Sequence, residues 1–262
     1  MQGQMFPQER FFDRIKRMFT SLVVMVMAGL KFAPLLLKTG GTMFISIFLY
    51  AQVWGWRYAV GFVLLLFVHE TGHLLAARLM GIRVGLPVFI PFMGAVIALK
   101  EAPRNAWVEA VVGIGGPILG SAGALAVWGW YLHTGNMLFL ALAYVGFFLN
   151  LFNLIPIVPL DGGRIVSAIS PWLWLIGLAL LVPVLFYFAN VFVLIIFVLL
   201  LREAYPRVRA LFRARTETEE RYFECTRAQR WTISILYFVL LAGLGALTTH
   251  THSILQALPG DL

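Results

Sequence analysis

His69, Glu70 and His73 stand in the order H-E-x-x-H inside the apolar stretch Phe67-Val68-His69-Glu70-Thr71-Gly72-His73-Leu74. On a helix, residues four apart are offset by about 40° around the axis and about 6 Å along it. The two histidines therefore point the same way and can share one Zn²⁺, with Glu70 beside them as a candidate general base. The run from Tyr58 to Leu66 carries no charge. An ionisable group in such a helix is costly in lipid, so it marks a functional site.

Zinc in a hydrolase takes three protein ligands and leaves a fourth position open, so two histidines are not enough. Asp161 is the best third ligand. It follows Pro156 and Pro159, which break the preceding helix, and precedes Gly162-Gly163, read here as a sharp backbone turn. A carboxylate on irregular backbone within a membrane protein needs a partner, and a metal supplies one. Capping of the next helix or pairing with Arg164 are the competing roles for Asp161.

The elements that must position these residues are membrane helices. The chain has 262 residues, of which 61% are apolar and 12% charged, and its mean hydropathy is +0.87. That composition excludes an ordinary soluble domain. A net charge of +8 fits basic loops on one membrane face, and no nucleic-acid motif accompanies it. One cysteine, Cys225, permits no internal disulfide. The first seventeen residues are polar and charged and do not read as a signal peptide.

Taken in order, residues 1–41 read as a basic amphipathic segment lying at or dipping into the membrane surface. Residues 42–201 form the transmembrane core, with spans expected at 42–56, 58–80, 106–131 and 137–155. Two short bent spans follow within 171–201. Residues 202–230 form a charged cytoplasmic segment, and 231–262 hold a last span and a tail. Gly116, Gly120 and Ala124 repeat at a spacing that lets another helix approach closely. Residues 84–100 carry two β-prone arms around a Pro/Gly centre and read as a hairpin dipping into the membrane. The fold class is thus an all-α polytopic membrane protein of about six to seven transmembrane helices with a small membrane-dipping β-hairpin. With the N-terminus cytoplasmic, only Arg57 of the 20 Lys and Arg falls outside, as the positive-inside rule asks. The protein is then expected in the cell (inner) membrane. His73 would lie about 10 Å and His69 about 16 Å from the inner end of their helix.

His69-Glu70-x-x-His73, followed by Asn153-x-x-Pro156-x-x-Pro159-Leu160-Asp161-Gly162, resembles the site-2 protease family of intramembrane zinc metalloproteases. The resemblance covers roughly residues 58–170, including Gly116-Pro117 and the hairpin with Gly94. It implies one zinc per chain on His69, His73 and Asp161, Glu70 as the base, and Asn153 near the scissile carbonyl. It also implies a substrate that is itself a membrane-spanning segment. Asn150, one turn before Asn153, is the rival donor, its alternative being an interhelical hydrogen bond. Gly94, Val96 and Pro156 are the candidate substrate contacts: an open strand edge in the hairpin would hold an unwound segment by its main chain. Some members insert a PDZ domain between the motif helices and others carry a cytoplasmic CBS pair at the C-terminus; the loops here are too short for the first, and residues 202–230 are too few for the second.

Overall fold

The computed structural model describes residues 39–91, 94–188 and 191–257. Residues 1–38 of the expected basic amphipathic segment lie outside these, and its last three residues begin a helix. The first described helix, α1, covers residues 39–54. Gly55, at φ 78°, breaks it from α2 (Trp56–Leu79). Arg57 therefore sits in the first turn of α2 rather than in a loop. At the other end Gly81 takes φ 74°, and Ile82 N–H returns to the Ala77 carbonyl at 2.9 Å. A left-handed glycine closing a helix in this way needs no Cβ.

The hairpin follows directly. β1 (Val84–Ile90) and β2 (Gly94–Leu99) pair antiparallel, with Val88 opposite Val96 and Phe89 opposite Ala95. Phe89 is buried among Ile47, Tyr50, Val63 and Leu66 of α1 and α2, and its ring stacks on Phe67 at 6.3 Å. Its N–H donates to Thr42 Oγ1 at 3.2 Å. β1 is thus clamped against α1 and α2, and β2 pairs along its other edge. Residues of an antiparallel pair alternate between facing the partner strand and facing away. Phe89 N–H points away from β2, so the opposed Ala95, and with it Ile97, points away from β1. Lys100 N–H donates to Arg83 O at 2.9 Å, which sets the same parity from the other end.

α3 (Ala106–Thr134) starts at Asn105, whose side chain accepts from Val108 N–H, and ends at Gly135, φ 66°. Asn136 then caps α4 (Met137–Asn153) through Leu138 N–H. Two residues thus suffice to turn the chain back. Residues 154–160 are irregular, with a cis Val158-Pro159 bond. Then comes α5 (Asp161–Ile169), a helix where the sequence reads as a turn. Gly162 and Gly163 are helical. Their role is close approach: a Cβ on Gly162 would stand 2.2 Å from the Leu154 carbonyl oxygen, and one on Gly163 2.3 Å from the Ile157 carbonyl carbon.

α6 (Leu173–Phe188) and α7 (Val191–Ala210) occupy the stretch where two short spans are expected, and α7 carries on through Arg202 to Arg209. The charged segment is therefore partly helical, with α8 (Glu217–Phe223) closed by a Thr216/Glu219 capping box. α9 (Arg227–Gln256) is the last described helix. Among the described residues three helices, α2, α3 and α9, are long and apolar enough to cross a membrane; α4 and residues Leu173–Pro183 of α6 are apolar but shorter.

The core joins α3, α4, α5 and α9 through Ile114, Phe147, Ile165, Val166, Ile233 and Tyr237. Two side chains fasten the irregular 154–160 loop and α5. Tyr237 O–H donates to Leu154 O at 2.7 Å, and Trp174 Nε1–H donates to Gly163 O at 2.8 Å. Removing a donor from a buried acceptor costs about 1–3 kcal/mol. Tyr237→Phe keeps the ring and strands the Leu154 carbonyl, so unfolding in detergent should show a loss of about 1–3 kcal/mol. A stability equal to wild type would show that α9 does not hold the loop.

Candidate metal centre

α2 delivers His69 and His73 to one side, both buried, and α5 delivers Asp161 from its first turn. His69 Nε2 and His73 Nε2 stand 3.1 Å apart. Each is 3.2 Å from Asp161 Oδ2. The three atoms make a nearly equilateral triangle.

The outer nitrogens fix what these atoms carry. His73 Nδ1 lies 2.8 Å from the Val112 carbonyl. A carbonyl only accepts, so Nδ1 holds the proton. His69 Nδ1 lies 2.8 Å from Asn150 Oδ1, and Asn150 Nδ2 donates to Gly146 O at 2.7 Å. That second bond orients the amide, so His69 Nδ1 also donates. In a neutral imidazole the other nitrogen is then a bare lone pair. Asp161 Oδ2 is buried and has no hydrogen-bond partner. Its short distances to the two Nε2 atoms are contacts between acceptors, and the unsatisfied oxygen is the truer description of them.

Three converging acceptors with no proton between them fit a cation. Two atoms each about 2.05 Å from a tetrahedral ion stand about 3.3 Å apart, close to the observed edges. The Nδ1 partners are the outer hydrogen bonds that orient metal-binding histidines. His69, His73 and Asp161 are all buried and form the one such group among the described residues.

α3 makes room for this triangle. A Cβ on Gly116 would lie 2.2 Å from His73 Nε2, and one on Gly120 2.3 Å from Asn150 Oδ1. A Cβ on Gly113 would lie 3.1 Å from Arg164 Cβ of α5. The small-residue stripe predicted to admit a helix thus admits the histidine and the asparagine, and Gly113, about a turn before it, admits α5. Pro117 removes the donor that would meet the Gly113 carbonyl, and the neighbouring Val112 carbonyl accepts from His73.

Glu70 is buried next to the triangle, and its charge interacts with His73, His69, Asp161 and Arg164. Among the described residues no hydrogen bond ties its carboxylate. Asn153 donates one Nδ2 hydrogen to Leu149 O at 3.0 Å and does not touch the triangle. Pro156 is buried, and its carbonyl packs where a Cβ on Gly177 of α6 would stand 2.3 Å away. Gly94 takes φ 98°, and nothing lies within 4 Å of a Cβ built there; its backbone, not crowding, demands glycine. Val96 is 53% exposed.

A sequence model of peptidase family M50 matches residues 57–136 and 130–199. Together these span more than half of the chain and include every residue of the triangle. The chain belongs to peptidase family M50, the site-2 protease family. A zinc metalloprotease of Methanocaldococcus jannaschii is similar to it, with 32% identity over 120 residues, covering 43% of this chain and 34% of the relative. The match thus spans about a third of that relative's length. M50 membership and this relative support a zinc metallopeptidase in a membrane, and the His69–His73–Asp161 group suits one zinc ion.

The interhelical hydrogen bond weighed for Asn150 is the one observed, but its partner, the candidate ligand His69, was not foreseen. The available signal was an amide in an otherwise apolar helix, one turn from Asn153. Loss of such an outer partner costs about 10–100-fold in metal affinity. Asn150→Ala should therefore bind zinc about 10–100-fold more weakly in a chelator competition. Asn153→Ala should match wild type, which should hold one zinc per chain, and His73→Ala should hold little. Equal affinity in Asn150→Ala would remove its positioning role.

Proposed function

We propose that this chain hydrolyses a peptide bond in or near a transmembrane segment of a membrane-protein substrate, as an intramembrane zinc metalloprotease in regulated intramembrane proteolysis. The observation that carries the reading is Glu70: a buried carboxylate beside three metal-suited atoms, excluded from their triangle and tied by no hydrogen bond among the described residues. A carboxylate so placed can take a proton from a water held at those atoms.

Zinc in this site supplies a Lewis acid and acidifies a water to a pKa of about 7. The chain's own groups do the rest. Asn150 and Val112 hold the two imidazoles in one tautomer and orientation. Glu70 takes a proton from the water at its carboxylate and passes it to the leaving amine. Asn153 lies one helical turn from Asn150, on the same side of α4. Its amide has a second hydrogen not used by Leu149, which suits a hydrogen bond to the developing oxyanion. Such a donor contributes about 3 kcal/mol in comparable sites.

Glu70→Gln should keep its zinc and lose cleavage by about 10²–10⁴-fold. Membrane proteomes of cells carrying wild type or Glu70→Gln should differ in clipped single-span proteins. Identical products in both would refute the base, and no clipped products in either would leave a zinc-binding scaffold.

Substrate handling follows from the hairpin. A membrane-spanning helix hides its peptide groups in its own hydrogen bonds and must unwind before hydrolysis. An open strand edge can hold the unwound segment by main-chain pairing. β2 is the strand paired along β1's other edge, and its outward-facing main chain belongs to Ala95 and Ile97, by the parity set above. Val96 presents an exposed side chain instead, and its N–H faces Val88. Ile97→Pro removes an outward donor and should leave zinc content normal while cleavage falls about tenfold or more, the cost of one lost hydrogen bond. Val96→Pro breaks the hairpin itself and should also lower stability. Full cleavage by Ile97→Pro would reduce the hairpin to a plug.

A further inference from the structure

A second constellation lies away from the metal centre. A cavity of about 480 Å³ opens between the start of α6, the end of α7 and α8. That volume is in the range of small-molecule sites. Arg207, Arg213 and Arg215 line it together with Trp174, Tyr222 and Phe223. Glu219 is the acidic residue among its lining, so the walls carry a net charge of +2.

The arginines differ in what already holds them. Arg213 is paired with Glu219 at 2.6 Å. That pairing, with the Thr216 backbone, holds the Glu219 carboxyl down to about 2, so the acid stays ionised at neutral pH. Arg207 is anchored from behind: its Nη1 lies 3.5 Å from Glu109 Oε1 of α3, and its guanidinium sits 5.9 Å from the Trp174 ring centre. Tyr222 O–H donates to the other oxygen of Glu109. Arg215 stacks over Phe223 at 4.8 Å and has no acidic partner among the described residues. Its charge faces the cavity unbalanced.

Guanidinium forks match phosphate oxygens, and stacking on aromatic rings pre-orders them. The position adds a second constraint. α7 is apolar from Val191 to Leu201 and charged from Arg202 on, and Trp174 opens the apolar run of α6. The cavity thus stands where the apolar helices give way to charge, and basic pockets at such a boundary take anionic headgroups. We infer that the Arg207–Arg213–Arg215 cavity is a binding site for a phosphate ester carried on an apolar or aromatic body. An anionic phospholipid headgroup and a soluble nucleotide share that chemistry.

The test uses the full chain purified in uncharged detergent, with zinc content as the check on folding. Native mass spectrometry follows titration with dioleoylphosphatidylglycerol or, separately, ATP, with dioleoylphosphatidylcholine as the net-neutral control. One phosphatidylglycerol should bind at least tenfold more tightly than phosphatidylcholine. The Arg213→Gln/Arg215→Gln double variant should lose that preference, and the Arg→Lys pair should keep part of it. Thr218→Glu, an exposed change on the cavity wall, should weaken binding without touching any arginine, which keeps the test decisive if the double variant does not fold. ATP binding with the same losses, and no lipid preference, would identify the source as soluble. Equal binding of both probes to wild type, Thr218→Glu and the double variant would overturn the site.

Discussion

The structure depends on how closely α2 and α3 can approach. A Cβ on Gly72 would stand 2.2 Å from the Gly115 carbonyl oxygen, and one on Gly115 2.6 Å from Ala76 Cβ. Two backbones in such contact leave no room for any side chain between them. Further along α3, the same absence of Cβ atoms receives His73 at Gly116 and Asn150 at Gly120. At Ala124, the first side chain of the stripe, it is Gly146 of α4 that yields instead, since its Cβ would lie 2.9 Å from Ala124 Cβ. One strip of helix thus sets the distance from α2, the pose of a ligand and the pose of that ligand's partner. In a membrane, helices have little hydrophobic drive to associate, and close backbone packing takes its place.

That packing is what makes the buried polar groups affordable. Every outer nitrogen of the histidine pair has a partner, and the Asn150 amide is used at both ends. A fully satisfied network at low dielectric is rigid, whereas one missing partner is expensive. The open valences are concentrated in the three inward atoms. The same helix is gripped at its start by the opposite charge pattern. Glu109 lies one turn before Val112 and takes both Arg207 of α7 and Tyr222 of α8. The charged segment beyond the spans therefore bears on the turn of α3 whose carbonyl orients His73.

How much of this was legible follows from what each signal requires. H-E-x-x-H needs only helical periodicity, and α2 supplies it; the hairpin needs only two β-prone arms around a glycine, and Gly94 at φ 98° supplies the turn. Asp161 came from residue type and depth. α5 did not, because Gly162-Gly163 has two physical readings, a turn or a close approach, and nothing local separates them. The Leu154 and Ile157 main chain, against which both glycines pack, belongs to a loop whose path no local rule predicts. Asn150 and Asn153 posed the same problem: one turn apart on one face, they differ only in what stands across from them. The arginine cavity had no motif to find, since Trp174 and residues 206–223 meet only through the α6–α7 reversal. The number of spans also stays coarser than the pattern promised, because α4 and the apolar part of α6 are short of a full crossing by length.

Charge balance bears on how the site tolerates its burial. Two neutral imidazoles add no charge, and Asp161 adds one negative charge at the first turn of α5, where the helix dipole favours it. Against a dication this leaves one positive charge, costly to bury in a low-dielectric surround. Glu70 supplies the missing negative charge from within the same helix as both histidines. The residue proposed as the base would therefore also serve as a counter-ion. With a dication bound, the net charge of the centre would partner an acid that takes no hydrogen bond from the described residues.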